Sequence, residues 1–142
     1  MIIGQINDGI VLDHITAGRG IEIYYLLGLD KLDCTVAMIQ NAESKKMPAK
    51  DIIKIGRSID INLDILGYID PGITVNFIKD GKISKREYLT LPDVVYDVIK
   101  CKNPRCITSC EQELRQEFHL VDRVNKVYRC VYCESKAPKG LN

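Results

Sequence analysis

Hydrophobic and polar positions alternate with period two in several short runs of this chain, and turn residues or runs of helical period separate them. In "GIVLDHI" at 9–15, alternation sets Ile10, Leu12 and His14 on one side and Val11, Asp13 and Ile15 on the other, which predicts an extended segment over 1–15. Thr16-Ala-Gly-Arg-Gly breaks that segment. Ile21, Tyr24, Tyr25 and Gly28 then recur at helical spacing and predict a helix over about 19–28. "CTVAMIQ" at 34–40 is apolar and β-branched enough for a central strand, "NAESKKMPAK" is a polar loop, and "DIIKIG" at 51–56 reads as a second short strand. "SIDINLDILGYID" at 58–70 predicts a short helix stopped by the turn residues Asp70-Pro71-Gly72. In "ITVNFIKDGKISKREYLTL" two alternating runs flank Lys79-Asp80-Gly81-Lys82, and Asp-Gly at the centre favours a type I′ hairpin turn.

The order is therefore strand, helix, strand, strand, helix, strand, with a hairpin closing the sheet. That is the split βαβ pattern of a ferredoxin-like sandwich, an α+β fold. After Pro92, "DVVYDVIK" leads into the first of a run of cysteines, and residues 101–142 are rich in cysteine and charge and poor in large aliphatics. The expected organisation is a ferredoxin-like domain over 1–94 and a small, mainly β, metal-binding domain over 95–142.

Composition sharpens this picture. With 142 residues, 46% hydrophobic and 27% charged, the chain has the balance of a globular protein and room for one domain plus a small satellite. Residues 1–99 carry 11 Lys/Arg against 14 Asp/Glu, whereas 100–142 carry 9 against 5. A basic satellite reads as a solvated, charge-balanced zinc module or as a docking face for an acidic partner or nucleic acid. The opening "MIIGQINDGIVLDHI" has no basic region followed by an apolar core, so no secretory signal is expected. The longest apolar stretch, "IEIYYLLGL" at 21–29, is far below the ~20 residues that span a bilayer. A cytoplasmic protein with no membrane partner is expected. In a reducing compartment, six cysteines point to metal binding, redox chemistry or plain burial before a disulfide framework.

Cys101-x4-Cys106-x23-Cys130-x2-Cys133 supplies four soft thiolates as two close pairs. Two turns brought together make a tetrahedron, the closed geometry of one structural Zn²⁺ per chain, with no open position for a catalytic water. Lys102, Arg105, Lys126 and Arg129 lie beside the ligands in sequence and would offset the charge of a tetrathiolate. Cys110 is a rival ligand, although Cys106-x3-Cys110 suits a helix face better than a knuckle turn. Cys34 reads as an ordinary buried thiol and His119 as a surface or packing residue. A redox dithiol at Cys130 and Cys133 would need a helix start after a strand, a context "RCVYCES" lacks.

Taken in order, "GIVLDHI", "KDIIKI", "TVNFI", "LP", "CKNPRCIT" and "CVYCE" resemble the regulatory chain of aspartate carbamoyltransferase over nearly the whole length. The resemblance implies a nucleotide-binding domain followed by a zinc domain that docks on the catalytic chain, and no active site on this chain. It implies ATP, CTP and UTP as effectors, pairing of two regulatory chains through the first domain, and a place in pyrimidine biosynthesis. No nucleic-acid partner is implied. The competing reading, from the basic C-terminal region with Tyr128 and Tyr132, is a zinc-ribbon nucleic-acid-binding protein; a small redox enzyme is a third.

Position by position, the resemblance places Asp13 and His14 at the effector pocket, the carboxylate toward ribose hydroxyls and the imidazole toward phosphate. Lys54 falls near ribose and base, with Lys50 a turn before it. Asn76 matches a phosphate-side asparagine, Ile78 lines base or sugar, and Val11 belongs to the same pocket. Lys85 or Arg86 supplies a phosphate cation, ungapped alignment favouring Arg86. Ile3, Gly4, Gln5 and Ile6 match the strand whose backbone reads the base edge. Gly4 stands where an acidic residue is common in the family and Gly81 where an aromatic can sit.

Overall fold

A computed structural model of the chain describes residues 7–45 and 48–138. They fall into two compact units, Met1–Thr90 and Leu91–Asn142, a division a few residues ahead of the 94/95 boundary expected from composition.

In the first unit, β1 (Gly9–Thr16), α1 (Gly20–Leu26), β2 (Val36–Ala42), β3 (Lys50–Ile55), α2 (Leu63–Ile69), β4 (Thr74–Lys79) and β5 (Lys82–Tyr88) follow in chain order. The sheet runs β2-β3-β1-β4-β5 and every neighbouring pair is antiparallel. With β3 inserted between β1 and β2, and β4 on the other side of β1, this is the split βαβ arrangement of the ferredoxin-like sandwich. One sheet face carries Ile10, Leu12, Ile53, Ile55 and Val75, all fully buried together with Ile23 of α1 and Leu66 of α2. Each such side chain contributes about 1.5–3 kcal/mol on leaving water. Seven-residue helices do not persist alone, so this burial is what holds α1 and α2. Asn62 caps α2, its side-chain oxygen accepting from the backbone N–H groups of Asp64 and Ile65 at 3.0 and 3.2 Å. The hairpin turn is as expected: Asp80 and Gly81 have φ of 53° and 76°, the two left-handed residues a type I′ turn requires.

Several local expectations are corrected: β2 stands at the edge of the sheet and not at its centre, and α2 begins at Leu63, five residues later than expected. His14 does not continue the face of Ile10 and Leu12. Between Leu12 and Ile15 the register against β3 advances three residues for two, a bulge in which His14 takes φ 58° and Ile15 inherits the core position. Helix α1 is shorter than expected, and its apolar stripe faces outward: Ile21 and Tyr25 are exposed while Ile23 alone of its large side chains is fully buried. Cys34 lies in the bend before β2, half-buried, and not inside the strand.

The second unit contains β6 (Val94–Tyr96), β7 (Glu117–Asp122) and β8 (Val127–Cys130) as a three-stranded antiparallel sheet in the order β6-β7-β8. Among the described residues its buried apolar side chains besides cysteines are Val95, Ile99, Phe118 and Tyr128, a small core for a unit of this length. Its first residues are tied down: Arg123 donates to the carbonyl of Leu91 and to Asp93, and the Tyr128 hydroxyl donates to the carbonyl of Pro92. Among the described residues no helix is long and apolar enough to cross a membrane.

Candidate functional site

The sheet face opposite the helices is built by register. Lys54 pairs with Val11, Val11 with Asn76, and Asn76 with Arg86, so the four stand in one row across β3, β1, β4 and β5 with side chains on one face. At ~4.8 Å per strand, the row spans roughly 14 Å from Lys54 to Arg86. Ile78 follows two residues along β4, half-buried on the same face. The Arg86 Nε donates to the Asn76 side-chain oxygen at 2.8 Å, which aims the guanidinium along the row. Among the described residues the Lys54 ammonium has no hydrogen-bond or ion-pair partner, and Arg86 has no carboxylate partner. Two cations without counter-ions at the ends of a polar row form a face suited to an anionic ligand.

Lys85 is not brought to this face. It stands opposite Phe77 on the other side of β5, and its ammonium meets Glu87 at 2.7 Å. A bulge between Phe77 and Ile78 sets this phase, and it separates the two cations that the sequence left as alternatives. Ile3, Gly4, Gln5 and Ile6 lie outside the described residues.

Asp13, His14 and Lys50 gather where the β1 bulge turns. The Asp13 carboxylate meets the Lys50 ammonium at 2.9 Å and accepts from the backbone N–H of His14 at 2.7 Å. The His14 Nδ1 lies 3.2 Å from the Thr74 hydroxyl, a contact the sequence reading missed. Burial pushes the Asp13 carboxyl up, but the bonds from Lys50 and His14 and their charges outweigh it and hold it below its ordinary value. A lowered acid stabilises the fold fully above its ordinary value of 3.8 and loses that contribution as pH falls through the lower folded value. Asp13→Asn is therefore expected to flatten the loss of stability between about pH 5 and about pH 3, as read by urea unfolding at each pH.

In the second unit the sulfurs of Cys101, Cys106, Cys130 and Cys133 lie within 4.8 Å of one another, three of the residues buried and Cys133 half-buried. Cys101 and Cys133 approach to 3.6 Å, and Cys106 and Cys130 to 3.7 Å. A disulfide would need about 2.05 Å. A tetrahedral zinc with Zn–S of about 2.3 Å sets its sulfurs about 3.8 Å apart, which these spacings match. Each of these two near pairs joins one turn to the other. Cys110 is exposed, bonded to the carbonyl of Ile107, and outside the cluster.

Turn geometry explains the convergence. The Cys106 N–H reaches the carbonyl of Asn103, the Glu134 N–H the carbonyl of Cys130, and Asn103 ties the two turns by donating to Ser135 at 3.1 Å. The Thr108 hydroxyl donates to the Cys106 sulfur at 3.1 Å. Burial pushes the Cys101 thiol up to about 12 and the Cys130 thiol upward, whereas the Ser135 hydroxyl draws Cys133 down to about 6. Without a cation the cluster resists carrying four negative charges; a bound metal supplies the charge that ionises it. Beside Cys101 a concavity of about 660 Å³ is lined by residues that include Lys100, Lys102, Gln112 and Gln116.

Comparison with known proteins places both units. Residues 1–90 match the family described as aspartate carbamoyltransferase regulatory chain, allosteric domain, and residues 93–139 match aspartate carbamoyltransferase regulatory chain, metal binding domain. The aspartate carbamoyltransferase regulatory chain of Clostridium botulinum (strain Hall) is 51% identical over 134 residues, 94% of this chain and 92% of that relative. The regulatory chain of Clostridium acetobutylicum is 49% identical over 143 residues, 99% of this chain and 98% of the relative. That of Bifidobacterium longum is 40% identical over 137 residues, 96% and 99% of the two chains.

Proposed function

Since the chain belongs to the family of aspartate carbamoyltransferase regulatory chains, a non-catalytic subunit with an allosteric and a metal-binding domain, we propose that the open sheet face of its first unit binds ATP, CTP or UTP and that one structural zinc in its second unit shapes the docking surface for the catalytic chain. The row Lys54, Val11, Asn76 and Arg86 is the observation that carries the nucleotide reading. Arg86, oriented by Asn76, takes phosphate; Lys54 takes the ribose and base end; Val11 and Ile78 line the face; and Asp13, with His14 and Lys50, receives ribose hydroxyls and phosphate. Ile3, Gly4, Gln5 and Ile6 are assigned to the base edge by resemblance alone.

The second unit supports a zinc role by the softness and spacing of its four thiolates. The unit also exposes Ile107, Leu114, Val121 and Val124, apolar side chains that a protein partner could cover. Exposed Ile21 and Tyr25 on α1, with the apolar edge strand β2, favour pairing of two regulatory chains through the first unit. Regulation then follows from linkage: a nucleotide shifts catalysis in the cytoplasmic holoenzyme only as far as it binds the two quaternary states unequally, typically by about 1–3 kcal/mol. The nucleic-acid and redox readings gain no support from the family matches.

Co-expression with the catalytic chain of the same organism tests the assembly. The expected product is a complex that survives sizing and holds about one zinc per regulatory chain by elemental analysis. Failure of the two chains to co-purify would contradict the docking reading.

A further inference from the structure

Asp51 is fully buried, has no salt bridge among the described residues, and spends both carboxylate oxygens on backbone N–H groups of two other elements. One oxygen accepts from Gly18 at 3.0 Å and Gly20 at 2.9 Å, the turn that starts α1. The other accepts from Asn41 at 3.1 Å. Asn41 has φ 55° and lies where β2 advances three residues for two along β3, from Ile39 opposite Ile52 to Ala42 opposite Lys50. A bulged residue leaves the ladder, and its N–H needs another acceptor; Asp51 is that acceptor.

The β1 bulge at Asp13 and His14 flanks the same position of β3 from the other side, where Ile15 pairs with Asp51 and Thr16 with Lys50. Adjacent strand residues point to opposite faces, so Lys50 reaches Asp13 on the open face while Asp51 holds α1 and β2 beneath it. Gly20 is fitted to this contact: a Cβ there would stand 2.8 Å from the Asp51 oxygen.

We propose that Asp51 is a positioning residue that fastens α1 and the β2 bulge to the strand end carrying Lys50, so that a ligand engaging Asp13, His14 and Lys50 also orders α1, which exposes Ile21 and Tyr25, and the edge strand β2, whose apolar side chains are half-buried. The proposal rests on the nucleotide reading above. It makes the dipeptide Lys50-Asp51 the junction between effector face and pairing surface.

Hydrogen–deuterium exchange on the full-length chain in complex with its catalytic partner tests it, with ATP, CTP and UTP as probes. In the unaltered protein a binding nucleotide is expected to slow exchange at Gly18, Gly20 and Asn41 by about tenfold, alongside protection of β1, β4 and β5. In Asp51→Asn, which keeps shape and one acceptor, protection of the three strands remains and that at Gly18, Gly20 and Asn41 falls to less than about twofold. Gly20→Ala keeps Asp51 but displaces its carboxylate, while alanine favours helix α1; the same loss of spread in this variant separates uncoupling from unfolding. Protection of α1 and β2 that persists in both variants, or that never extends beyond the strands in the unaltered chain, overturns the proposal. Absence of nucleotide-dependent protection anywhere overturns the nucleotide reading and this inference with it.

Discussion

Cys106→Ser is expected to cost the chain its metal and its catalytic partner together, while nucleotide binding by the first unit survives. The reason lies in how little else holds the second unit. Among the described residues, Val95, Phe118 and Tyr128 on the three short strands and Ile99 in the bend after β6 are its buried apolar side chains apart from the cysteines. A structural zinc contributes about 10–16 kcal/mol of apparent binding free energy at neutral pH, enough to decide whether such a unit folds. Cys106 is 2% exposed, lies 3.7 Å from Cys130 and receives the Thr108 hydroxyl, so serine would leave an incomplete ligand set in a buried place. The first unit has its own sheet and its own fully buried apolar core, formed without any of the four clustered cysteines. Elemental analysis, sizing with the catalytic chain and calorimetric titration with ATP or CTP report the three properties separately. Cys110→Ser is the control: exposed and outside the cluster, it should retain metal and partner. Metal loss in Cys110→Ser with retention in Cys106→Ser would reverse the assignment.

Arg86→Ala is expected to weaken nucleotide binding by about 10- to 100-fold, the range that a charged hydrogen bond of about 1.5–3 kcal/mol implies. Lys85→Ala should change it by less than about twofold, because Lys85 is on the other face and already paired with Glu87. The contrast is sharp because the two residues are neighbours of the same sign, so a general loss of positive charge would affect both alike. Arg86→Ala also frees the Asn76 side chain, which is 7% exposed and accepts from Arg86. Part of the loss is then disordered geometry, and Arg86→Lys should recover charge without the directed guanidinium and fall between the two. Isothermal titration at two salt concentrations measures each term. Equal losses at Lys85 and Arg86 would contradict the face built by register.

Much of this architecture was legible because it depends on local chemistry. Asp80-Gly81 announces its left-handed turn, Asp70-Pro71-Gly72 announces the end of α2, and four cysteines in two close pairs announce a tetrahedron. Where the chain departs from ideal periods, simple alternation fails for a physical reason. The bulge at His14 moves Ile15 into the core and turns His14 toward Thr74, and histidine, asparagine and aspartate at 14, 41 and 80 are residue types that tolerate the positive φ required. The stripe on α1 was real, but its side was not readable: Ile21, Tyr24 and Tyr25 have helical spacing whether they face a core or a partner, and here Ile23 takes the core. The Lys85/Arg86 ambiguity likewise turned on one extra residue in a ladder.

One signal could have been read and was passed over. In "KDIIKI" the alternation puts Asp51 in phase with Ile53 and Ile55, a charged residue in a buried phase, and such a residue demands partners. The same alternation sets Lys50 and Lys54 together on the open face. Thr74 carried no comparable mark, since its contact with His14 exists only because the bulge rotates the ring.

The central claim is that the open sheet face governs an activity located on another chain. The most direct test is the aspartate saturation curve of the reconstituted complex, recorded alone and with saturating ATP, CTP or UTP, for the unaltered chain and for Arg86→Ala. At least one nucleotide should shift half-saturation by about twofold or more, and the shift should collapse in Arg86→Ala at the same nucleotide concentration. A complex whose curve is indifferent to all three nucleotides, or whose response is unchanged by Arg86→Ala, would contradict it.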